Sequence, residues 1–127
     1  MSIKVIYPFG PTMAKIKLTN TIIKKINSEV DKIVSNPLLS KKYNYANKLA
    51  GEVEQEIELP TSFTNKYLKS TLQSSIKAFV KKSTGKVPKQ IRLKNFWVVR
   101  QFAHDYNPVH FHDGDISGVG YLKLPKN

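Results

Sequence analysis

Trp97-Val98-Val99-Arg100-Gln101-Phe102-Ala103-His104-Asp105-Tyr106-Asn107-Pro108-Val109-His110-Phe111-His112-Asp113-Gly114-Asp115 is the stretch on which the reading of this chain turns. It opens on β-forming residues. It then gathers all three histidines of the chain and three of its nine acidic residues. No other part of the sequence concentrates groups able to hold a metal or move a proton near neutral pH. The β-formers begin earlier, with Ile91, Leu93 and Phe96, so Gln90 to Phe102 reads as one long strand or two joined near Lys94-Asn95. A loop over 103–109 leads to a strand carrying His110. On a strand, residues i and i+2 point to one face. His110 and His112 therefore aim two imidazoles at one point, with Phe111 on the other face. That spacing suits chelation of a first-row transition metal. Asp115 is the nearest local candidate for a third ligand, followed by Asp113 and His104. Two histidines two apart are by themselves a weak pattern; their clustering with three aspartates strengthens it.

Working outward, Asp113-Gly114-Asp115 is a tight-turn signal, and Ser117 to Leu124 reads as a further strand. Upstream, Tyr67, Leu68, Leu72, Ile76, Phe79 and Val80 mark the apolar face of a helix from about Thr64 to Lys82. Gly85 is placed to end it in a left-handed conformation. Glu52 to Leu59 alternates strictly. It predicts a strand with Val53, Ile57 and Leu59 inward and four glutamates on a solvated outer face. Residues 35–51 are polar and irregular and read as a loop. Ile22, Ile23, Ile26, Val30, Ile33 and Val34 fall at helical spacing, with Thr19 or Asn20 as cap and Asn36-Pro37 as stop. Ile3 to Phe9 and Ala14 to Leu18 read as short strands around Pro8-Phe9-Gly10-Pro11. Helices dominate the first part and strands the second, which predicts an α+β fold.

A length of 127 residues predicts a single domain over 1–127. The apolar share of 40% and charged share of 24% are those of an ordinary globular chain. No apolar run approaches the roughly 20 residues that span a bilayer, and the N-terminus lacks the pattern of a signal peptide. The expectation is a cytoplasmic protein without a membrane partner. Without cysteine there is no disulfide, thiolate nucleophile or Cys-ligated metal. The formal net charge is +12, carried almost wholly by lysine; the only arginines are Arg92 and Arg100. Arginine is the residue suited to bidentate phosphate and base recognition. Weak attraction to polyanions is expected, and sequence-specific nucleic-acid binding is not. There is no G-x-S-x-G elbow and no glycine-rich phosphate loop.

Three strings now stand together: Trp97-Val98-Val99-Arg100-Gln101-Phe102, Tyr106-Asn107-Pro108-Val109-His110-Phe111-His112, and Ser117-Gly118-Val119-Gly120-Tyr121-Leu122. Together they resemble the first half of the catalytic core of the Fe(II)/2-oxoglutarate-dependent oxygenases. The pattern is that of the small prolyl-4-hydroxylase-like oxygenases of phage and marine bacteria. Ile6-Tyr7-Pro8-Phe9-Gly10-Pro11 resembles the opening of the same group. The resemblance implies a double-stranded β-helix, or jelly-roll, core. Residues 1–88 would form a helical N-terminal part with flanking strands, and 89–127 the first strands of the core. It implies Fe(II) and 2-oxoglutarate as cofactors, with O₂ as cosubstrate and the substrate unspecified.

By position, His110 falls on the first metal ligand. His112 falls where the family places a carboxylate, so the resemblance leaves His112, Asp115 or Asp113 for that role. Arg100 and Phe102, on the strand before the motif, and Tyr121, on the strand after it, would line the cosubstrate pocket. The family also uses a distal histidine and a basic anchor for 2-oxoglutarate. Only 17 residues follow His110, and none after His112 is a histidine. The expectation is therefore a portion of an oxygenase lacking those two groups. The alternative is a non-catalytic basic interaction protein, such as a phage accessory protein, that keeps part of the fold.

Overall fold

A computed structural model describes residues 2–7 and 9–126 of the chain. It is α+β, with four helices and two separate two-stranded antiparallel sheets among those residues. No closed sheet or jelly roll forms among them. The residues group into two compact units, Met1–Ile22 with Thr61–Leu93, and Ile23–Pro60 with Lys94–Asn127. No helix among the described residues is long and apolar enough to cross a membrane.

In the first unit, strands β1 (Ile3–Ile6) and β2 (Met13–Ile16) form a hairpin with Ile3 opposite Ile16 and Ile6 opposite Met13. Two helices follow later in the chain, α3 (Thr61–Tyr67) and α4 (Lys69–Thr84). The sequence predicts one helix here. The structure starts it three residues earlier and marks a break at Leu68, a buried residue with φ −114°. Four hydroxyls in α3 and α4, those of Thr64, Ser75, Ser83 and Thr84, donate back to carbonyls three or four residues earlier. This is how helices rich in Ser and Thr satisfy such groups. Gly85 ends α4 at φ 72°, as the sequence predicts, and its N–H donates to the Lys81 carbonyl.

In the second unit, helix α1 (Asn20–Val34) buries Ile26, Val30 and Ile33 at the predicted spacing, each worth on the order of 1.5–3 kcal/mol. The Thr19 hydroxyl caps it by accepting from the Ile22 N–H. The predicted loop over 35–51 contains a helix, α2 (Pro37–Tyr43), and a 3₁₀ turn at Ala46–Lys48. Asn36 is more than a stop signal. Its side chain accepts from the N–H groups of Leu38 and Leu39, and Pro37 occupies the first turn, where its missing N–H costs nothing.

Strands β3 (Gln55–Glu58) and β4 (Trp97–Arg100) pair in antiparallel register, with Gln55 opposite Arg100, Glu56 opposite Val99, Ile57 opposite Val98 and Glu58 opposite Trp97. Both strands are shorter than the sequence predicts. A strand persists only where a neighbour completes its ladder. Ile91 to Asn95 have none; the Ile91 carbonyl instead accepts from the Gln73 side chain. The predicted strands at His110 and over 117–124 likewise have no ladder among the described residues. Their apolar side chains, including Val109, Phe111, Val119 and Tyr121, are exposed.

β3 is covered on both faces. Ile57 is fully buried on one, and Glu56 on the other is only 3% exposed. The predicted solvated row of glutamates is thus corrected at Glu56. Alternation fixes which face a residue takes, but it does not say what covers that face.

Candidate metal centre

β4 ends in a turn over Phe102 to Asp105. The Asp105 N–H donates to the Phe102 carbonyl at 3.1 Å, and the Asp105 carboxylate accepts from the Phe102 N–H at 3.0 Å. His104, third in this turn, has φ 73°, the positive value that the third position of a type II turn takes. The chain then docks on the loop before β3. Tyr106 and Glu52 exchange backbone hydrogen bonds of 2.9 and 3.3 Å. Gly51, at φ 128°, passes so close to Asn107 that a Cβ there would overlap the Asn107 Oδ1. Pro108 to His112 hang from this anchor.

His110 and His112 meet at their tips. Their Nε2 atoms are 3.1 Å apart, and the rings stand edge to face with centroids 4.7 Å apart. Phe111 points away and is exposed. The His110 Nδ1–H donates to the Pro108 carbonyl at 2.7 Å. A carbonyl only accepts, so this bond fixes the proton of a neutral His110 on Nδ1 and leaves the Nε2 lone pair free. Histidine ligands usually have such a partner. The His112 Nε2–H then donates to His110 across the 3.1 Å gap. Two metal–nitrogen bonds of about 2.1 Å at a right angle place their nitrogens about 3.0 Å apart. The pair already stands close to that spacing.

The His112 ring lies on Trp97, with centroids 5.6 Å apart. Trp97 shares its face of the ladder with Val99, Glu58 and Glu56, since paired residues and alternate residues point the same way. Burial raises the Glu56 pKa above its ordinary 4.5, and protonation of the nearby His110 would act in the opposite direction.

The other residues singled out from sequence go elsewhere. Arg100 lies on the opposite face of β4, where its guanidinium donates to the Gln55 side chain and sits 5.4 Å from the Phe102 ring centre. Phe102 is half exposed, and Tyr121 is mostly exposed. Asp113 pairs with Lys94 at 3.8 Å, and Asp115 is exposed. As the side chains stand, no three His, Asp or Glu residues among those described converge closely enough to hold a metal. The sequence singled out the histidine pair but missed Trp97 and Glu56 as its neighbours. Glu56 and Trp97 lie far apart in the chain, and nothing local signals that β3 and β4 pair.

No protein-family profile, curated protein or solved structure matches this chain.

Proposed function

We propose that this chain carries part of the catalytic core of an Fe(II)/2-oxoglutarate-dependent oxygenase, with His110 and His112 as metal ligands. The observation that carries this reading is the 3.1 Å approach of the two Nε2 atoms, with His110 held by the Pro108 carbonyl. The imidazole pair suits Fe(II) by ligand type. Bound Fe(II) would supply O₂ activation coupled to decarboxylation of 2-oxoglutarate, the chemistry that hydroxylates an unactivated C–H bond.

The residues of the chain do the holding. Pro108 fixes the tautomer of His110. Trp97 supplies an apolar wall against His112. The anchor at Gly51, Glu52, Tyr106 and Asn107 fixes where the loop begins. In this reading, β4 and the residues through Leu122 are the first strands of a jelly-roll core.

Anaerobic titration of the chain with Fe(II) tests the reading. The expected result is one Fe(II) bound per chain and loss of that binding in the His110→Ala/His112→Ala double variant. Absence of Fe(II) binding, or equal binding by the double variant, overturns it.

A further inference from the structure

We propose that the first unit is a polyanion-binding body that holds nucleic acid through its phosphates, without sequence preference. The net charge of the whole chain predicts only a weak and diffuse attraction. The division of the chain into units shows that this charge is gathered in one of them.

The first unit, 1–22 with 61–93, contains eleven of the 21 Lys and Arg residues and none of the nine Asp and Glu residues. The second contains the other ten cations and all nine acids. Their formal charges are therefore +11 and +1, which together make the +12 of the chain. A general enrichment in lysine does not produce this division. It fills both units, and here it fills them almost equally. What separates them is that one holds no acid at all. Charge divided in this way between parts of a chain points to a polyanion as partner.

All eleven cations are exposed, and none forms an ion pair with a described residue. The two ion pairs among the described residues, Lys32–Glu29 and Lys94–Asp113, lie in the second unit. Several cations of the first unit stand against each other. Lys4 is directly opposite Lys15 in the β1–β2 hairpin. Paired residues share a face, so the outer face of the hairpin carries two like charges side by side, with Lys17 two residues further on. On α4, Lys77 and Lys81 lie one turn apart and form a second like-charged pair. The Lys82 ammonium donates to the Ile3 carbonyl at 3.3 Å, which ties the end of α4 to β1 and so brings the two groups of cations together. Like charges in these positions cost stability. A carboxylate nearby would relieve them, and the unit supplies none. A bound anion with closely spaced charges relieves both pairs.

A phosphodiester chain is such an anion. Lysine holds phosphate as a compact point charge and carries no fork to read a base edge. Arg92 is the one arginine of the unit. Tyr7 and Phe9, exposed just after β1, offer ring faces on which bases stack. An anionic membrane suits the unit less well. A helix that lies on a membrane turns its apolar side outward, whereas none of Leu72, Ile76, Phe79 and Val80 on α4 is exposed.

Fluorescence anisotropy with a labelled single strand of about 20 nucleotides, and with its duplex, tests the proposal. Vesicles of phosphatidylcholine and phosphatidylserine serve as the membrane arm. The wild-type chain is expected to bind oligonucleotide with a Kd of roughly 1–100 µM near physiological salt, and to lose affinity steeply as salt rises. Two unrelated sequences should bind alike. The variant Lys4→Gln/Lys15→Gln/Lys77→Gln/Lys81→Gln should bind at least about tenfold more weakly, with a flatter salt dependence. The variant Lys41→Gln/Lys42→Gln/Lys123→Gln/Lys126→Gln removes the same charge from exposed positions of the second unit. It should stay within about threefold of wild type, because screening confines each charge to its own neighbourhood. Circular dichroism of both variants confirms folding. The His110→Ala/His112→Ala variant should bind as wild type, so this proposal and the metal-binding reading stand or fall separately. Absence of oligonucleotide binding, equal loss in the two lysine variants, binding insensitive to salt, or tighter binding to the vesicles than to either oligonucleotide overturns the proposal.

Discussion

The Asn107 side chain occupies the space that a Cβ on residue 51 would need, so glycine at 51 and the docking of Asn107 depend on each other. Gly51 also holds φ 128°, which side chains rarely adopt. Gly51→Ala should therefore destabilise the chain by about 1–3 kcal/mol. Urea denaturation measures the loss. Amide exchange should show Glu52 and Tyr106, which exchange backbone hydrogen bonds beside this contact, opening first.

His104 adopts φ 73° in the turn that follows β4. A left-handed conformation costs a non-glycine residue about 1–2 kcal/mol, offset in part by the greater freedom of glycine in the unfolded chain. His104→Gly should raise stability by up to about 1 kcal/mol, read from the denaturation midpoint. It should leave the Fe(II) binding proposed for His110 and His112 unchanged. A loss of stability would mean that the imidazole of His104 contributes more than its backbone costs.

Glu56 gives the chain a pH dependence of known sign. Its pKa in the folded chain is raised above 4.5 by burial, which outweighs the lowering effect of a protonated His110; Glu58 is the other carboxylate on its strand and face. A carboxyl whose pKa is raised on folding binds its proton more tightly when folded. Its contribution to stability is full below pH 4.5 and is lost as pH rises through the folded value. In metal-free protein, Glu56→Gln should match wild type in acid and become the more stable of the two as pH rises. Chemical denaturation across that range, with a chelator present, checks it.

Much of the fold was legible because it is local. Ile26, Val30 and Ile33 announce the buried face of α1, Gly85 announces the end of α4, and the spacing of His110 and His112 places two rings together. Asn36-Pro37 reads as a stop in sequence, and in the structure the same two residues begin α2. What the sequence could not convey was pairing at a distance. Ile91 to Phe96 and Ser117 to Leu124 have the composition of strands, and composition does not supply a neighbour. Alternation places Glu56 on the face opposite Ile57, which the sequence reads as solvated. Its strand pairs with β4, which lies far along the chain, and Glu56 is buried.

Glu56 and Ile57 are consecutive, and they face opposite sides of one four-residue strand. Both sides are covered, Ile57 fully and Glu56 to within 3%. A change that shifts the backbone to suit either side therefore moves the other. The strand has no idle face on which a substitution could be absorbed, so variants of Ile57 should be felt in the burial of Glu56, and variants of Glu56 in the packing of Ile57.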